Sequence, residues 1–272
     1  MKPGIYPNLS NEYYHGHKES YSRSALMEFK KSPYHYWSKY INPNYKEPVR
    51  SDALNFGAAF HMFVLEYELF KETYIIEPPT LLLKNVGREK YEENKAQKLA
   101  AKLSRQPTIT EEEFHTIQDM AKALVDNLTT AQLIFDATYE QSLFWEDKDS
   151  GLLLKARPDI MHSNMIVVLK TCNDASPEAF QYAMAKNGYH VQGAMIREGW
   201  KILTGEVIDT VINICIEKTY PHAIGIYIID ELALSTGEAE FKRLAYNLRS
   251  AIDSNDWPSY NACEIGLPKW AL

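Results

Sequence analysis

The strongest constraint on this chain's fold is a change of hydrophobic period in its middle. Residues 138–146 (TYEQSLFWE), 152–162 (LLLKARPDIMH) and 165–171 (MIVVLKT) are short runs rich in β-branched, aromatic and aliphatic residues. The segments DKDSG (147–151) and SN (163–164) separate them. Apolar runs of this length bounded by turn formers read as three consecutive strands in a meander.

On either side the period is helical. Ser22 is placed to cap a short amphipathic helix that carries Leu26 and Phe29 and is limited by Pro33. Residues 51–70 put Leu54, Ala58, His61 and Leu65 on one stripe, and Pro78-Pro79 ends the pattern. Thr110 followed by Glu111, Glu112 and Glu113 opens a helix to about Leu128, with acids where the macrodipole favours them. After the meander come helices over 177–185 and 190–203, strands over 207–217 and 223–229, and a helix over 231–252. Residues 1–21, with Pro3 and Pro7, are expected to form an irregular arm. The order predicts an α/β (α+β) fold, a mixed central sheet flanked by helices. No linker or internal repeat divides it. We therefore expect one domain over 1–272, mainly helical in 1–130, with the core sheet and its helices in 131–272.

Charge and cysteine content narrow the function classes. The chain has 29 Lys+Arg against 36 Asp+Glu, a net −7, which argues against coating nucleic acid through bulk charge but leaves room for a local basic channel. Cys172, Cys215 and Cys263 are far apart, without the CxxC spacing of a zinc or iron–sulfur site, and point to a reducing, cytoplasmic setting. No apolar run has the length needed to span a bilayer, so no membrane partner is expected. Residues 84–105 are dense in Lys and Glu. Such a run is usually a solvated helix or loop; the functional alternative is a clamp over a substrate, through Lys84, Arg88 and Lys90 among others.

The residues suited to chemistry are Arg157-Pro158-Asp159 at the end of one strand and Val168-Leu169-Lys170-Thr171 at the end of the next. On adjacent antiparallel strands, Asp159 and the 168–170 segment would converge on one side of the sheet. Phosphodiester hydrolysis needs carboxylates to hold divalent cations, and a nearby ammonium can orient the attacking water. Asp159 and Lys170 suit those two roles. Taken singly, His61 beside Gly57 and Ala58 would be a packed core histidine, and Lys170 a solvated strand lysine.

Taken together, these residues resemble the PD-(D/E)XK nuclease superfamily, and within it the RecE (exonuclease VIII) family of phage-type recombination exonucleases. The matches run in order along nearly the whole chain: Gly4-Ile5-Tyr6, Ser10-Asn11-Glu12-Tyr13, Ser22-x-Ser24, Gly57-x-Ala59-Phe60-His61, Val64-Leu65-Glu66, Glu140, Arg157-Pro158-Asp159, Lys170-Thr171, Tyr189-His190-Val191-Gln192, Trp257-Pro258 and Leu267-Pro268-x-Trp270. The resemblance implies a restriction-endonuclease-like fold and a Mg²⁺- or Mn²⁺-dependent, ATP-independent exonuclease. Such an enzyme degrades one strand of linear double-stranded DNA from its 5′ end and leaves a 3′ overhang for a single-strand annealing protein. It also implies a homo-oligomeric ring. By the same resemblance His61, Asp159 and the Leu169 backbone carbonyl are metal ligands, Lys170 orients water, Glu140 is an auxiliary acid, and Gln192 stands close by. Tyr189, Lys84, Arg88 and Lys90 are then candidate DNA contacts. The chain departs from the family pattern at Val168, where a second carboxylate belongs, and at Ile196, often a tyrosine. Val168 leaves a second function open: a nuclease fold that binds DNA ends or a recombination partner without cutting.

Overall fold

The strands expected around residues 140 and 157 bend, and each bend carries the chain from one sheet to another. The computed structural model describes residues 1–7, 9–46, 52–78, 87–104 and 106–267. Its N-terminal part contains β1 (Gly4–Tyr6), α1 (Asn11–Gly16), α2 (Arg23–Lys31), α3 (Pro33–Tyr36) running into a π-helical turn, α4 (Asp52–Leu65), α5 (Tyr67–Thr73), β2 (Ile75–Glu77), α6 (Arg88–Ser104), β3 (Thr108–Thr110), α7 (Glu111–Asp126) and α8 (Leu128–Ile134). There follow β4 (Thr138–Tyr139), β5 (Ser142–Glu146), β6 (Leu153–Ala156), β7 (Ile160–Met161), β8 (Met165–Cys172), α9 (Pro177–Asn187), α10 (Tyr189–Thr204), β9 (Thr210–Glu217), β10 (Ile224–Ile228) and α11 (Glu231–Ser254).

The strands form a five-stranded sheet in the order β10-β9-β8-β7-β4, a three-stranded sheet β1-β5-β6, and a parallel pair β2-β3. The mixed α/β class expected from the sequence holds, with three differences. The run 138–146 is two strands in two sheets, and so is 152–162. The arm expected to be irregular contains β1, antiparallel to β5, and α1, whose Ser10 cap accepts from the Tyr13 N–H. The helix over 51–70 stops at Leu65, and α5 restarts after Glu66.

β8 is the spine of the large sheet. It pairs in parallel with β9 from Met165↔Thr210 to Cys172↔Glu217, and antiparallel with β7 only at Ile160↔Val167 and Met161↔Ile166. Its upper half therefore has a free edge. The period-two alternation of the strand sends its side chains into two cores. Ile166 and Val168 join a cluster with Leu26, Trp145, Val191 and Phe241, under α2, α10 and α11. Val167 and Leu169 join Phe60, Ile117 and Leu124, under α4 and α7. Gly199 of α10 lies so close to the Trp145 ring that a Cβ there would sit 2.6 Å from it, which explains a glycine in mid-helix. Among the described residues, no helix is long and apolar enough to cross a membrane.

Candidate metal centre

The two sheet-to-sheet bends meet beside the free edge of β8. Glu140, between β4 and β5, has φ +49°, a left-handed conformation that breaks the strand, and its N–H donates to the Asp159 carbonyl at 3.1 Å. Asp159 follows Pro158, which has no N–H for a ladder bond. Its carboxylate Oδ2 instead accepts the Leu169 N–H at 2.8 Å, taking up a β8 donor that has no strand beside it.

α4 brings in the third group. Phe56, Ala59 and Phe60 pack into the second core, which leaves His61 at its margin with Nδ1 3.7 Å from Asp159 Oδ2. One donor atom each from His61, Glu140 and Asp159 falls within 4.8 Å of the other two. Ligands on opposite sides of a Mg²⁺-sized ion stand about 4 Å apart, so the three can close on one cation with small side-chain adjustments.

Electrostatics favour a cation at this point. Burial pushes the Glu140 carboxyl up, Asp159 and Glu66 push it further, and Arg157 and Lys170 only partly oppose them, leaving it at about 8. Two buried carboxyls this close share a deficit of positive charge, and a divalent ion would supply it. Burial also lowers the His61 pKa, against the pull of Asp159, which keeps the ring neutral as a ligand must be. The Leu169 backbone beside the ring opposes that lowering in a smaller way. A nitrogen and carboxylate-oxygen donor set of this kind suits a divalent cation.

Lys170 stands beside the cluster. Its Nζ donates to Gln192 Oε1 at 3.1 Å and lies 4.9 Å from the Tyr189 ring centroid. Burial lowers its pKa, Asp159 being the main opposing influence. Tyr189 is a half-buried wall under this lysine, and its hydroxyl accepts from Asn187 at 3.2 Å.

Of the expected site residues, the fold gathers His61, Glu140, Asp159, Leu169, Lys170, Gln192 and Tyr189. Lys90 is exposed on α6, a helix tied to β2 through Lys98–Glu77 at 3.2 Å. Lys84 and the Arg88 side chain lie outside the described residues. Val168 is 1% exposed and packed in the apolar core beneath Lys170, and Ile196 is fully buried there too. The second carboxylate of the cluster is Glu140, reached from the bend rather than from β8. Sequence reasoning assigned no role to Glu66 or Arg157, both of which act on Glu140. Both fall in segments singled out in the sequence, Val64-Leu65-Glu66 and Arg157-Pro158-Asp159, where attention went to the neighbouring residues.

Over residues 22–266 the sequence matches the family described as PDDEXK-like domain of unknown function (DUF3799). No curated protein matches it significantly. A crystal structure of a "putative exonuclease" from Eubacterium rectale superposes with a TM-score of 0.58 at 14% identity, over 90% of this chain and 87% of that one; at this identity the likeness is one of fold. Another solved structure, SSO0001, aligns at 19% identity over 68% of this chain and 83% of that one, with a TM-score of 0.30 that supports no argument. With its mixed sheet and its Asp159/Lys170 pair, the chain belongs to the DUF3799 family of PDDEXK-like domains, in the PD-(D/E)XK nuclease superfamily.

Proposed function

We propose that this protein is a divalent-metal-dependent nuclease, and specifically a RecE-type 5′→3′ exonuclease acting on the ends of linear duplex DNA. The observation that carries the reading is the His61–Glu140–Asp159 cluster with Lys170 at its side. Mg²⁺ or Mn²⁺ held there would polarise the scissile phosphate and acidify a bound water. Asp159, anchored by the Leu169 N–H, and His61 fix the ligand geometry. Gln192 holds the Lys170 ammonium, which is placed to orient the attacking water through a hydrogen bond. On the same reading the 3′ overhang passes to a single-strand annealing protein, the working form is a homo-oligomeric ring, and residues 1–272 act as one nuclease unit.

The burial of Val168 favours a second reading, in which the fold binds DNA ends without cutting. Incubation with 5′-phosphorylated linear duplex and Mn²⁺ separates the two. The nuclease reading expects nucleotide release that Asp159→Ala abolishes. Salt-dependent end binding without release, at high protein concentration, would leave only the second.

A further inference from the structure

Arg157 is engaged on one side by the N-terminal arm and on the other by β5 and the bend before it. Its Nε donates to Ser142 Oγ at 2.9 Å, Nη2 donates to the Leu9 carbonyl at 2.8 Å, and Nη1 donates to Asn11 Oδ1. The guanidinium carbon stacks 4.2 Å from the Tyr14 ring centroid. Nη1 is also 3.9 Å from Glu140 Oε2. The arm is itself fastened. β1 pairs with β5 through Tyr6↔Ser142, and the buried Lys155 donates from Nζ to the Tyr14 carbonyl at 2.6 Å and the His17 carbonyl at 3.0 Å, capping the end of α1. Lys155 and Arg157 thus face the same way from one strand and its extension, and both are spent on the arm.

A guanidinium has five donors in a rigid plane, so fixing three of them and stacking one face fixes where the remaining N–H groups point. Here the Nη1 end faces Glu140, whose backbone is already tied to Asp159. We propose that Arg157 is a positioning residue through which the N-terminal arm, by way of Asn11 and Leu9, sets the side chain of Glu140 in the metal-ligating cluster. The arm precedes residue 22, where the family match begins, yet it completes the site. The proposal rests on the metal-site reading above and adds that cation affinity depends on residues in the first turn of α1.

The test is Mn²⁺ binding to the full chain, read by electron paramagnetic resonance and calorimetry without DNA. Partners that orient ligands are commonly worth about 10–100-fold in metal affinity. Asn11→Ala is expected to weaken Mn²⁺ binding by roughly 10-fold with an unchanged melting temperature in EDTA. Asn11→Asp, which keeps an acceptor in place, should restore affinity to near wild type. Arg157→Lys, which keeps charge but loses the fork, should weaken binding as Asn11→Ala does. Unchanged affinity in both Asn11→Ala and Arg157→Lys, in a chain whose wild type binds Mn²⁺, overturns the positioning role alone. A wild type that binds no Mn²⁺ overturns the metal-site reading and the proposal with it.

Discussion

Replacing Glu140 by glutamine should make the metal-free protein more stable while removing its response to metal. The carboxyl sits at about 8 in the fold against an ordinary value of 4.5, because it is buried beside Asp159 and Glu66. A raised acid binds its proton more tightly in the folded state. Stability from this group is therefore highest below pH 4.5 and is lost as pH climbs from 4.5 to 8. At 1.36 kcal/mol per pH unit, the stretch from 4.5 to 7 costs the native state about 3.4 kcal/mol at pH 7. Glutamine keeps the volume and never ionises, so Glu140→Gln should recover about 2–3 kcal/mol, or on the order of 5–10 °C in Tm for a chain of this size. The assay is thermal unfolding in EDTA at pH 5 and pH 8. The variant should gain little at pH 5 and most of its advantage at pH 8. Added Mn²⁺ should raise the wild-type Tm and leave the variant nearly unmoved. A wild type and variant of equal Tm in EDTA at both pH values would refute the electrostatic reasoning.

Other perturbations probe neighbouring groups. Val168→Asp places a charge in an apolar core and should destabilise the metal-free chain by about 3–5 kcal/mol, partly recovered in Mn²⁺ together with faster cleavage; an unchanged Tm in EDTA would contradict the burial of that side chain. Gln192→Ala removes the acceptor of Lys170, so cleavage should fall by roughly 10–100-fold while Mn²⁺ affinity measured by calorimetry stays put. Burial lowers Lys155 to about 8, so the fold sheds this proton before the unfolded chain does, and stability should gain as pH rises from 8 toward 10.5. Lys155→Met should flatten that rise in a pH series of melting curves. Gly199→Ala forces a methyl against Trp145 and should cost about 1–3 kcal/mol in urea unfolding, with no effect on Mn²⁺ binding.

Long elements with one uninterrupted period were legible from sequence alone. β8 and β9 are largely apolar runs, and α10 and α11 keep a single stripe that ends at Gly205 and Asn255, both in the left-handed conformation. The breaks were not legible. Residues 138–146 contain no glycine, asparagine or proline, and glutamate at 140 gives no sign of a positive φ where glycine or asparagine would have. The arm was illegible for a different reason. β1 and α1 bury little of their own surface, and their order comes from Lys155 and Arg157, more than 100 residues away in the chain, so no local pattern could announce it.

The breaks also bear on the departure at Val168. The antiparallel register of β4 with β7, Thr138↔Met161 and Tyr139↔Ile160, brings Glu140 opposite Asp159. The hydrogen bond to the Asp159 carbonyl continues that register, and the left-handed turn at Glu140 then takes the chain out of the large sheet into β5. A carboxylate supplied from that bend leaves position 168 free to pack as valine in the core, so the apolar residue in the motif and the acid beside Asp159 are parts of one arrangement. On this argument the valine alone does not mark lost metal binding. On the proposed reading, binding would depend on the bend that delivers Glu140, which faces Arg157 at 3.9 Å, and Arg157 is in turn bonded to Asn11 of the arm.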